Sequence, residues 1–457
     1  MKTNTYLIPV ALGISLLLSS CENIIEADLP TSQLETAQVF ESVSTADGAL
    51  SNLYAELQYY SVLSGGTGGT GALLGTYTDD LTCYIIGSQN NAADLFHNQQ
   101  LATNTEIRTV WTNAWKEIYS ANAIIEGVEK SSGIGTTDKD RIKGEALFVR
   151  SLLYFYLTQI YDAVPYTTTT DYKINQTLRK TPVSELLLKV QGDLETASAL
   201  LQDTYRNIDR VYPNRKTAEL MLALMLMQQK KWPEAEQRLK NVVQSPLYVW
   251  EPDVAKTFKK SGKHILWQLK PFKANEPTQE AFMYYFSSAA PVNYGLSENL
   301  VSSFSPADLR RQQWIKAVTI NQTLYYRNDK YKNTVSNTDE YSVVFRLEEV
   351  YLLLAEALAQ QNKIEEALPY INAVRQRAGN SPLVGSTRDA LLKEIVAENR
   401  REFFAEKGYR FLTLKRNDQL NSLTDVKPNW QPHHRVWPIP LSDILLNPGL
   451  NPQNTGY

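Results

Sequence analysis

Cysteine is scarce in this chain, with only Cys21 and Cys83 among 457 residues. A disulfide framework is therefore excluded, and stability must come from packing. Histidine is nearly as rare. His97, His264, His433 and His434 show no His-x-x-x-His spacing, so no zinc site is indicated, and the His433-His434 pair is expected on the surface or in a turn. Lys+Arg 46 against Asp+Glu 49 leaves a formal charge of -3, which gives no footprint for nucleic acid. Long apolar runs are missing beyond the N-terminus, so no spanning helix is expected. The motifs of covalent catalysis are absent too: there is no Gly-x-Ser-x-Gly elbow, and Cys83 has no histidine near it in sequence. Asp79-Asp80 and Glu348-Glu349 are neighbours that on a strand point to opposite faces, which makes neither an acid/base couple across a glycosidic bond. Gly65-Gly66-Thr67-Gly68-Gly69-Thr70-Gly71 lacks the Lys-Ser/Thr of a phosphate cradle and reads as a mobile surface loop. No catalytic residue, metal ligand or cofactor site emerges from any of these.

What is present begins at the N-terminus. Lys2 is the one charge before residue 22, Tyr6 to Leu18 is apolar, and Leu18-Ser19-Ser20-Cys21 comes next. Positive start, apolar stretch and small residues before a cut describe a secretory signal over 1–20. The run falls short of the roughly 20 residues that a membrane-spanning helix needs. Cysteine directly after the small pair is the lipobox arrangement of bacterial lipoproteins, so Cys21 is the expected lipidation site. Several acyl chains would hold the protein to a membrane where a single one is marginal. Residues 21–44 are expected as a lipidated tether and 45–457 as one domain.

Helical periodicity dominates the body of the chain. Stripes of apolar residues predict helices from Thr45 to Tyr60, Thr105 to Glu129, Asp138 to Tyr161, Pro182 to Leu201 and Arg388 to Lys407, the last capped by Gly408. Two stretches repeat each other. Ala223 and Ala235, then Leu239 and Val242, are matched by Ala355 and Ala367, then Ile371 and Val374. That spacing belongs to a tetratricopeptide helix pair, in which small residues let antiparallel helices approach. The expected fold is mainly α, a tetratricopeptide-like scaffold of about four helical pairs. Charged residues in or near these helices (Arg346, Glu349, Glu356, Arg375, Arg401 and Arg410) are expected to pair between them. Two segments of different texture, about 61–104 and 250–341, read as large irregular, loop-rich inserts with small β-hairpins, and long ordered loops on a rigid frame commonly carry function.

Several blocks running from end to end resemble the SusD/RagB family. They are Gly144 to Arg150 with Tyr161-Asp162-Ala163-Val164-Pro165, Phe345 to Ala357 continuing to Gly379, Glu398 to Arg410, and the ending Asn447 to Tyr457. Thr413 stands where the family has an acid, and Thr455 where it has proline. The resemblance implies a surface-exposed outer-membrane lipoprotein whose helical frame faces a SusC-like TonB-dependent transporter. Its irregular face would bind a nutrient, commonly an oligosaccharide, with oligopeptide as the alternative cargo. A tetratricopeptide adaptor without a small ligand is the reading from another class.

Sugar recognition calls for flat aromatic faces flanked by amides, carboxylates or guanidinium groups. In the first insert Tyr77, Asp80, Tyr84 and Asn90 meet that description, and in the second Tyr284, Tyr285, Asn293 and Tyr294. These eight are the expected ligand-binding residues.

Overall fold

The computed structural model describes residues 36–86 and 91–457. The leader, Cys21 and Asn90 lie outside the described residues. Eight helices stack in chain order, each packed on the one before: Thr105–Lys130, Thr136–Tyr161, Val183–Leu200, Arg215–Gln228, Trp232–Val243, Leu347–Gln360, Ile364–Arg377 and Arg388–Phe403. They supply the four helical pairs that the periodicity predicts. Val43–Tyr59 lies against the start of this stack.

The first stack helix shows why these residues coil. The Asn104 side chain accepts from the backbone N–H groups of Glu106 and Ile107, satisfying donors that no earlier turn can reach. Val110, Trp111, Ala114, Ile118, Asn122 and Ile125 then face inward, while Tyr119 is exposed. In the repeated pairs all four alanines are fully buried. The repeat extends to the backbone, because Lys230 and Asn362, at matching places in the two turns, both take positive φ, +58° and +62°. The chain leaves the stack after Val243 and returns at Leu347, whose helix packs directly on Trp232–Val243. The whole second insert is thus looped out of a continuous stack.

That insert carries most of the strands. β1 (Leu81–Cys83), β3 (Tyr294–Leu296), β5 (Thr323–Asn328) and β4 (Ile315–Ile320) form one sheet in the order β1-β3-β5-β4. β2 (Ile265–Leu269) pairs with β6 (Ser342–Arg346) in a second, fully buried ribbon. The β4–β5 hairpin turns on Asn321 and Gln322, both at positive φ, the geometry that matches the twist of the flanking strands.

Two expectations need correction. The glycine stretch is not a mobile surface loop, since Gly65, Gly69 and Gly71 are buried and a helix, Thr70–Tyr77, starts within it. Backbone approach explains the glycines: a Cβ on Gly69 would fall 1.8 Å from the Ser64 carbonyl oxygen, and one on Gly71 2.9 Å from that of Ala405. Gly69→Ala is expected to destabilise the protein by about 2 kcal/mol in denaturant unfolding, the usual scale for a forced backbone shift. Gly68→Ala, with nothing nearer than the Glu106 carboxylate at 4.0 Å, should leave the midpoint in place. Equal midpoints for the two variants would refute this account. Second, the helix expected to run to Lys407 ends at Phe403, and Gly408, at φ +76°, opens the next helix, Tyr409–Arg416, instead of capping the previous one. The His433-His434 pair lies in a short 3-10 turn, Pro432–Arg435, the second of its two expected places, with His434 turned inward. It is 4 % exposed, packed against Trp430 and Tyr457, and burial followed by His433 pushes its imidazole down to about 4.

Candidate functional site

The two inserts meet in the four-stranded sheet. Leu81 pairs with Leu296 and Cys83 with Tyr294, and the ladder continues past β1 as Tyr84 N–H donates to the Asn293 carbonyl at 2.8 Å. Leu296 in turn pairs with Tyr326 of β5. Period-two alternation puts Tyr325 and Arg327 on the same face of β5. There the Tyr84 and Tyr325 rings meet edge-on with centroids 5.6 Å apart, and Phe286 lies 6.3 Å from Tyr325.

Arg327 organises this corner. Its guanidinium sits 4.7 Å from the centre of the Tyr285 ring, Nη1 donates to the Phe286 carbonyl at 2.8 Å, and Asp329 pairs with Nη2 at 2.7 Å. A cation stacked on one face and fixed by a carboxylate holds the ring while leaving its other surface available. Tyr285 is 50 % exposed. It borders a cleft of about 350 Å³ lined also by Phe282, Phe286, Val292, Asn293 and Val335.

The eight expected residues divide sharply. Tyr84, Tyr285 and Asn293 stand at this cleft or its edge, Tyr294 lines it as well, and Asn90 lies outside the described residues. Tyr77, Tyr284 and Asp80 are spent on structure. Tyr77 is fully buried among Trp430, Trp437 and Phe411, and its hydroxyl donates to the His434 carbonyl at 2.8 Å while accepting from Gln100. Tyr284 and Tyr294 are buried as well, with the Tyr294 hydroxyl directed at the Thr67 carbonyl, 3.4 Å away. Asp80 is a bolt. Arg400 Nε donates to it at 3.0 Å, Arg410 Nε donates to Asp79 at 2.8 Å, and Ser297 N–H bonds the Asp80 carbonyl. Burial raises both carboxyls; Arg400 and Arg410 outweigh it at Asp79, which falls below its ordinary range, whereas Asp80, with Asp79 beside it, stays above. The pair therefore fastens β1 to the last scaffold helices and sets the sheet on which Tyr84 and Asn293 ride.

Sequence reasoning missed Phe282, Phe286, Tyr325 and Arg327. The run Phe282-Met283-Tyr284-Tyr285-Phe286 and the alternation Tyr325-x-Arg327 were the available signals. Among the described residues no group of His, Cys, Asp and Glu is placed to hold a metal ion, and no helix is long and apolar enough to cross a membrane.

This architecture has relatives. Residues 34–225 match a family described as starch-binding and associating with the outer membrane, and residues 227–457 match the SusD family. A SusD-like protein of Formosa agariphila is 22 % identical over 96 % of this chain and 97 % of its own length. A SusD-like carbohydrate-binding protein from Bacteroides fragilis superposes with a TM-score of 0.78 at 20 % identity, covering 91 % of this chain and all of that one. A laminarin-binding SusD-like protein gives 0.77 at 18 % identity over 91 % and 99 %. The two family matches take in nearly the whole described chain and agree with the helical stack and its inserts: this protein belongs to the SusD family.

Proposed function

We propose that the chain is a cell-surface nutrient-binding lipoprotein that captures an oligosaccharide in the cleft bordered by Tyr285 and delivers it to a SusC-like TonB-dependent outer-membrane transporter. It binds its cargo without reacting with it, and lipid on Cys21 holds it at the outer membrane. The observation that carries this reading is the half-exposed Tyr285 ring, fixed from behind by Arg327 beside the Tyr84–Tyr325 pair. Rigid aromatic faces suit the C–H surfaces of sugars, and Asn293 adds an amide for hydroxyl groups. The carbohydrate and laminarin binding named for two structural relatives supports the same cargo class.

Calorimetry against an oligosaccharide panel tests the cleft. Tyr285→Ala should weaken binding about tenfold, the loss expected for one stacking ring worth about 1.4 kcal/mol, and Tyr325→Ala, which removes the ring behind the lining residue Phe286, should weaken it less. Unchanged affinity in folded variants would remove these residues from the site. A second reading has one observation in its favour: β4 is an edge strand, and such an edge can accept an extended peptide. Heat from oligopeptides and none from glycans would decide for it.

A further inference from the structure

A second groove lies away from the cleft, between the Val43–Tyr59 helix and the chain leaving β2. Its volume is about 410 Å³, within the roughly 300–1,000 Å³ of ordinary small-ligand sites. Its walls are rings held in place. The Tyr54 hydroxyl donates to Glu145 at 2.7 Å, and Arg206, bonded to the same carboxylate at 3.1 Å, stacks over Tyr212 at 4.0 Å. One buried carboxylate thereby fixes two rings that pack edge-on against each other, their centroids 5.6 Å apart. On the opposite rim the Tyr59 hydroxyl donates to Glu276 at 2.8 Å and accepts from the Phe272 N–H at 3.1 Å, which ties the loop to the helix.

Inside this frame one polar group has nothing to bind. Gln58 lines the groove, is only 4 % exposed, and its side-chain amide bonds to no described residue. With no protein partner to displace, that amide is free to meet the hydroxyls of a ligand. Ser51 and Asn52, nearly two helical turns earlier on the same lining, add a hydroxyl and an amide at the mouth. Gly48 opens the near end, where an added Cβ would meet nothing within 4 Å.

We infer that this groove is a second saccharide-binding site, distinct from the cleft, which takes a single glycosyl ring against Tyr212 and Phe272 with its hydroxyls on Gln58. Clamped ring walls present flat apolar surfaces, and a buried amide offering both donor and acceptor is the counterpart of vicinal hydroxyls. The inference does not depend on the cleft being the cargo site.

Saturation-transfer NMR with the methyl glycosides of glucose, galactose, mannose and xylose, on the purified full chain, tests it. The comparison uses three forms: a cleft double variant (Tyr285→Ala with Tyr325→Ala), Phe272→Ala and Gln58→Leu. At least one glycoside should give a signal that survives in the cleft variant and weakens about tenfold with Phe272→Ala, the effect of losing one stacking ring. Phe272 is 73 % exposed, so its replacement leaves the fold intact, and Gln58→Leu should weaken the same signal. Absence of signal from every glycoside in the cleft variant overturns the inference, as does a signal indifferent to Phe272→Ala. Failure of the cleft reading would appear differently, as oligosaccharide binding untouched by the cleft substitutions.

Discussion

Glu402→Leu is expected to destabilise the protein by about 3–5 kcal/mol, the range found when one partner of a buried ion pair is removed and the other stays. Glu402, on the Arg388–Phe403 helix, is fully buried and meets three guanidinium groups: Arg310 at 3.0 Å, Arg346 at 3.3 Å and Arg377 at 2.5 Å. These come from the Leu309–Trp314 helix, the end of β6 and the end of Ile364–Arg377, so one carboxylate joins four elements. Asp308, Glu348, Glu398 and Glu406 neutralise the same cations, but none of them replaces the shared contact. Burial pushes the Glu402 carboxyl up, and Arg377, Arg346 and Arg310 together overturn that, so it titrates below its ordinary range. A depressed folded value means the contribution is present above the unfolded carboxylate range and is lost only as pH falls through the lower folded value. The gap between wild type and variant in guanidinium unfolding should thus be the same at pH 5 and pH 7. A midpoint change worth less than about 1 kcal/mol would show that the network is not what holds these elements.

The opposite sign is expected at Glu117. Its carboxylate is nearly fully buried on the Thr105–Lys130 helix, and neither oxygen meets a partner at hydrogen-bonding geometry among the described residues. Burial raises it to about 8. A raised folded value leaves the protein at full stability below the unfolded value of roughly 4.3, with that contribution lost as pH rises toward 8. Glu117→Gln keeps the shape and abolishes the titration. It should stabilise the protein at pH 8 by on the order of 3 kcal/mol and make almost no difference near pH 4.5. Glu349, also buried and raised to about 8, gives wild type a decline of the same sign. A Glu117→Gln advantage of equal size at both pH values would contradict the assignment.

Much of the scaffold was legible because it obeys one period. Residues such as Val110, Ala114 and Ile118 recur at helical spacing, and the alanine pairs at 223/235 and 355/367 announce two close-packed helix pairs. The charge pairing between scaffold elements was legible in part. Arg346 meets Glu402, Glu356 meets Arg416 and Arg375 meets Glu398, whereas Arg401 pairs with Glu398 of its own helix and Arg410 reaches Asp79 in the first insert. Glu349 pairs with no cation. The cleft was only half legible. A tyrosine in a loop can stack on a ligand or fill a core, and local sequence does not distinguish them. Tyr77 and Tyr285 differ because a helix turns the first among three aromatic neighbours, while Arg327, 42 positions away, stacks against the second. The glycine stretch misled for a related reason. Its glycines answer to the backbones of Ser64 and Ala405, and no window around residue 68 contains the latter.

The pairing of β1 with β3 makes the two inserts depend on each other. Leu81 and Leu296 are partners across more than 200 residues, and each insert supplies one of the two strands. Exchange of either insert alone with that of a relative would leave a strand without its mate and the ring of Tyr84 without a floor. If the cleft is the binding site proposed above, its specificity would be transplantable only as a matched set of both excursions, whereas the helical stack beneath them could stay unaltered.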